Sequence, residues 1–161
     1  MNSIIKTLQY KYALSENGAK DMVRAFAACT FSDLVLMIPA GLLYQFIATV
    51  YTTEAPISSN QILFFGIGIL VCLGLICLST YIQYNCTFFA TYKESGVRRL
   101  SLAEHIRKLP LSFFSQRDLT DLTNAIMSDC ATLETASSHW IPELIGSVIA
   151  TTITALALFF F

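Results

Sequence analysis

Lysine and arginine are missing from two long stretches of this sequence, 25–92 and 118–161. Charged residues of either sign are scarce, 13% of 161 residues, where a soluble domain carries about a quarter. A nucleic-acid-binding protein would line one face with basic groups, so that class is excluded. None of the seven glycines is followed by lysine, so the phosphate loop GxxxxGK[ST] is missing as well. The five cysteines form no CxxC pair and have no histidine at metal-ligand spacing, which leaves them as reduced packing residues. There is no nucleophile–base constellation and no metal set, so no residue is read as catalytic.

What is abundant is apolar residues, 55% of the chain, gathered into three runs. A spanning helix needs about 20 mainly apolar residues. The first run covers about 25–51 and is interrupted only by Asp33 and Pro39; the second covers 62–81 without a charge or proline; the third covers 140–161. The first is too long for a cleaved signal peptide and has no small-residue cleavage site behind a short apolar core. Basic residues stand only before the first run and between the second and third, while the short connection 52–60 holds Glu54 and no basic residue. The positive-inside rule then places the N-terminus and 93–117 in the cytoplasm of a multi-pass cell-membrane protein, with 52–60 outside. Residues 1–24 read as a cytoplasmic amphipathic segment.

Residues 82–139 are too polar for lipid but read as helix nearly throughout. Val97, Leu100, Ala103 and Ile106 repeat at three, flanked by Leu102 and Leu109, and predict an apolar stripe on an otherwise charged helix. Glu94 with Arg98 and Glu104 with Lys108 are i,i+4 pairs in the favourable order. No proline lies between Ile57 and Leu109, so span two can run on as one helix for about 70 Å. Pro110 ends it. A short piece with adjacent Phe113 and Phe114 follows, and Asp118 is positioned to cap a new helix in which Leu119, Leu122, Ile126, Cys130 and Leu133 step by three and four. Two readings fit such a hairpin: a docking device with an aromatic tip, or an amphipathic hairpin lying on the membrane surface.

The order Leu109-Pro110-Leu111-Ser112-Phe113-Phe114, then Asp121-Leu122-Thr123, then Ile126-Met127-Ser128-Asp129 resembles the first intracellular loop of ABC exporter transmembrane domains. Thr120 stands where that family usually has glycine, which marks a divergent branch. The resemblance implies an all-α membrane protein, helices 1–3 of a six-helix domain, with helices 2 and 3 extended into the cytoplasm. It further implies that Pro110, Leu111, Ser112, Phe113, Phe114, Ser115, Gln116 and Arg117 form a coupling helix that docks on an ATP-binding domain. This chain then needs no cofactor of its own. ATP and magnesium belong to the parent protein, and the partners are a nucleotide-binding domain, a second half-transporter forming a homo- or heterodimer, the lipid bilayer and a transported substrate. On this reading the chain is a fragment lacking three membrane helices and the motor.

Within the spans, Asp33 is an ionisable residue and so a candidate cargo or ion contact, or else a solvated group near the interface. Pro39 is expected to kink span one. Tyr81, Tyr84 and Asn85 on span two, with Gly74 and Cys77, share one face, and Ser147, Thr151 and Thr154 share another on span three. They are candidates for lining a translocation path, the alternative being close helix packing. His139, Trp140 and Glu143 read as interfacial anchors. The competing functional class is a stand-alone or truncated membrane interaction protein that pairs with a full-length transporter.

Overall fold

The computed structural model describes residues 2–12, 14–52, 58–116 and 119–160. These residues form six helical elements: α1, Asn2–Tyr12; α2, Glu16–Val35; α3, Ile38–Thr52; α4, Ser59–Arg107; α5, Leu111–Gln116; and α6, 119–160. Three stretches, Glu16–Thr52, Ser59–Arg107 and Thr120–Phe160, are long and apolar enough to cross a membrane. Their large side chains point outward: Leu63, Phe64, Leu70 and Leu78 on α4 and Leu144, Val148 and Leu158 on α6 are all more than half exposed. Such a continuous apolar surface needs lipid or further helices around it. The connection 53–57 lies outside the described residues.

Breaks fall where backbone chemistry puts them. Pro39 has no N–H to donate to Val35 and its ring would meet that carbonyl, so α2 ends there; Leu36 and Met37 turn back onto Ser32 and Leu34 at 3.0 and 3.1 Å before α3 begins. At the other end of the molecule α4 stops at Arg107, and Lys108 and Leu109 tighten onto His105 and Ile106 at 3.1 Å ahead of Pro110. Between those points α4 is unbroken for 49 residues, roughly 70 Å at 1.5 Å per residue.

The core is a line of small side chains. On α2, Ala25, Ala28, Cys29 and Ser32 are buried, and Pro142, Gly146 and Ala150 of α6 pack against them. A Cβ on Gly146 would stand 2.5 Å from Cys29 Cβ and 3.0 Å from the Thr30 backbone nitrogen. Glycine is therefore what lets the two backbones touch here, the usual device of membrane helix packing. The inward residues of α6 run Leu122, Ile126, Cys130, Glu134, Ser138, Pro142, Gly146, Ala150, Thr154, a step of four. In a 3.6-residue helix each such step overshoots a full turn by about 40°. Two π turns, Ala125–Asp129 and Ala136–Trp140, each hold roughly one residue more than an α turn and take back about 100° apiece. The remaining drift winds α6 slowly around α2. In α4 a π turn at Asn85–Phe89 serves the inward line Ser79, Gln83, Thr87, Thr91, Ser95 in the same way. Three hydroxyls on that line satisfy their own helix: Ser79 donates to Ile76 O at 3.0 Å, Thr87 to Gln83 O at 2.8 Å and Thr91 to Thr87 O at 2.7 Å.

The polar face of α4, not its apolar stripe, meets the rest of the chain. Val97 and Leu100 are 54% and 64% exposed, and Ala103 and Leu109 are exposed too; only Leu102 and Ile106 lean inward. Glu94 and Arg98 do not pair with each other as their spacing predicts. Glu94 accepts hydrogen bonds from Ser15 N and Ser15 Oγ, both at 2.6 Å, while Ser15 Oγ accepts from Gly18 N at 3.0 Å and caps α2. Arg98 reaches the Tyr12 carbonyl at 3.4 Å. Among the described residues Glu104 and Lys108 form no ion pair. For Glu94 the reason is competition: the start of α2 offers N–H and hydroxyl donors that gain more from the carboxylate than a surface arginine does. Glu94→Ala is expected to loosen the α1–α2 elbow by about 1–2 kcal/mol, from one charge-assisted cap and its partner bond. Hydrogen exchange of the amides of 15–19, faster than in the wild type, is the measurement that checks it.

Candidate functional site

Two places gather chemistry. The first is the tip between α4 and α6. Pro110 opens α5, whose first turn closes with Phe113 N donating to Pro110 O at 2.9 Å. The Phe113 and Phe114 rings meet edge to face at 5.7 Å and 90°. Both rings are half-buried, so the aromatic tip is less open than two exposed anchors would be. Ser112 is exposed, and Leu111, Ser115 and Gln116 belong to the same short helix. Arg117 and the expected cap Asp118 lie outside the described residues.

The second lies where the apolar spans meet the polar end of the bundle. The π turns of α4 and α6 face each other here, and between them is a cavity of about 190 Å³ lined by Gln83, Tyr84, Phe88, His139 and Glu143, with Cys29 at its back. Tyr84 and Phe88 are stacked, 4.9 Å between centroids at 29°. Gln83 Nε2 donates to Cys29 Sγ at 3.6 Å. His139 Nδ1 lies 3.1 Å from a Glu143 carboxylate oxygen, with both side chains about half exposed. Asp33 faces Ser147 of α6 outside the lining of this cavity, and its Oδ2 is covered with no hydrogen-bond partner.

Of the candidate path residues, the structure brings Tyr84 to this cavity, with its side chain more than half exposed, and leaves Asp33 outside the lining. Tyr81 and Asn85 are exposed and face away from the inward line of α4, Tyr81 at 66%. Thr151 is exposed on α6. Thr154 is a packing residue, its hydroxyl set against Ala150 O at 2.9 Å and Met37 Sδ at 3.1 Å across the α2–α3 break. Gln83, Phe88, His139 and Glu143 carry the site, yet the sequence offers them only as helix interior or interfacial anchors. The one signal that could single out the last pair is its i,i+4 spacing, ahead of a span with no other charge.

Between these two places a polar bridge ties α4 to α6. Glu134 Oε2 accepts from Ser95 Oγ at 2.6 Å and from Arg99 Nη2 at 3.0 Å. Among the described residues no group of three or more His, Cys, Asp or Glu side chains is arranged to hold a metal ion. No family model, curated protein or solved structure matches this chain.

Proposed function

We propose that the chain is the N-terminal part of the transmembrane domain of an ATP-driven transporter of the ABC exporter type, and that α5 couples it to a nucleotide-binding domain. The observation that carries this reading is a short helix led by a proline, holding two aromatics, at the joint of two helices that run far beyond their apolar spans. A stiff helix pair converts movement at its tip into movement in the membrane, and an aromatic pair is a compact anchor for a partner. The distribution of lysine and arginine supports a cytoplasmic N-terminus and tip in the cell membrane. ATP and magnesium act on the partner motor, and a second half-transporter, identical or not, completes the pathway for the substrate.

A photo-crosslinking side chain at position 113 in intact cells tests the reading. The expected product joins the chain to an ATP-binding-cassette domain, and Phe114→Ala reduces its yield about tenfold, the loss of one hot-spot ring. Crosslinks to lipid alone would mean that the hairpin lies on the membrane surface, and the proposal would fall.

A further inference from the structure

The ionisable groups of the spans are of one sign. From residue 25 to 92 and from 118 to the end there is no lysine or arginine, while Glu143 lines the cavity between the π turns. Two arginines are engaged elsewhere: Arg24 with Asp21 at 2.8 Å and Arg99 with Glu134 at 3.0 Å. His139, whose Nδ1 lies 3.1 Å from a Glu143 carboxylate oxygen, is the one histidine in the lining. Carboxylates at the edge of an apolar region are costly unless a cation answers them.

The cavity has a second feature that favours a cation. Tyr84 and Phe88 form a stacked aromatic wall in the same half-exposed cavity as Glu143, and π faces attract ammonium groups even at exposed sites. Its volume of about 190 Å³ is below the ~300–1,000 Å³ of pockets for drug-sized ligands. It has room for a compact headgroup.

We propose that this cavity binds a small organic ammonium ion, with Glu143 as its carboxylate partner and Tyr84 and Phe88 as its aromatic wall. The inference rests on the transporter reading where it makes such an ion the class of cargo, and the bound position is then a loading site at the polar end of the spans. The aromatics come from α4 and Glu143 from α6, so a bound cation ties together the two helices that the π turns bring side by side.

The test uses the full chain in lipid nanodiscs with radiolabelled choline and tetraethylammonium as probes, and 3,3-dimethylbutan-1-ol, in which carbon replaces the charged nitrogen of choline, as competitor. Saturable binding of at least one cation is expected, without competition from the neutral alcohol. Glu143→Gln should raise Kd by about tenfold or more and Tyr84→Leu by severalfold, the range for losing a partly desolvated charge partner or a cation–π face. Glu104→Gln, on the far part of α4, should leave Kd unchanged, and equal melting temperatures would show that all variants are folded. Absence of saturable binding, equal competition by the alcohol, or unchanged Kd in both Glu143→Gln and Tyr84→Leu overturns the proposal. No ATPase enters this measurement, so a failed crosslink at position 113 leaves the cation site standing, and absent cation binding leaves the docking at α5 standing.

Discussion

Gly146→Leu should lower the melting temperature of the purified chain by about 5–10 °C, the shift that roughly 3 kcal/mol gives in a protein of this size. Even a methyl group at this position meets Cys29 Cβ at 2.5 Å, Thr30 N at 3.0 Å and Cys29 C at 3.1 Å. Two of those three atoms are backbone, so no rotamer change relieves them. The helices must move apart, and Ala25, Cys29 and Ala150, now at 3%, 1% and 0% exposure, lose the contacts that close approach gives them. A milder pair of variants isolates the cause. Gly146→Ala alone should destabilise, and adding Cys29→Gly should recover part of the loss by removing one of the clashing carbons. An unchanged melting temperature for Gly146→Leu would mean that α2 and α6 do not cross at this point.

Glu134→Leu is expected to cost about 1–3 kcal/mol, the range for hydrogen bonds to a charged group. One carboxylate oxygen holds both Ser95 and Arg99 of α4, and the Glu134 side chain is only 17% exposed. Removing it strands the Arg99 guanidinium, whose Nε is already covered without a partner. The Arg99 side chain is 42% exposed, so water takes up some of the loss, and the lower half of the range is expected. The double variant Arg99→Leu, Glu134→Leu should be more stable than Glu134→Leu alone, since two apolar groups leave no charge unanswered. Thermal melting of the two single variants and the double gives the coupling between them. A coupling near zero would mean that the bridge is not formed in the folded chain.

Composition and proline positions made much of this architecture legible. The three apolar runs became three helical stretches long enough to span, Pro39 and Pro110 ended helices where a missing N–H requires it, and the proline-free stretch became one long helix. What the sequence did not disclose was which face of α4 turns inward. Periodicity ranks faces by apolar content, and Val97 and Leu100 won that ranking. In the folded chain Glu94, Ser95, Arg98 and Arg99 win instead, because the capping groups of α2 and the carboxylate of Glu134 are there to receive them. Partners of that kind, distant in sequence, have no signature in a local pattern. The same holds for the site. Tyr84 stood out as a polar group in apolar surroundings, while Gln83, Phe88 and His139 gain meaning only from the opposed π turns. A π turn leaves almost no mark in sequence, since it adds one residue without asking for a particular type.

That last property has a consequence for how the chain could change over time. Along α6 the residues that meet α2 are chosen by counting as much as by kind: the step of four holds only because Ala125–Asp129 and Ala136–Trp140 each store an extra residue. A substitution within 136–140 acts locally. A single-residue deletion there would act on everything beyond it, turning the twenty residues Ile141–Phe160 by about 100° and presenting Gly146 to the surroundings in place of its neighbour. The π turns thus behave as vernier marks on a rod. They fix the angular setting of one half against the other, and they make length, rather than chemistry, the quantity this part of the sequence must conserve.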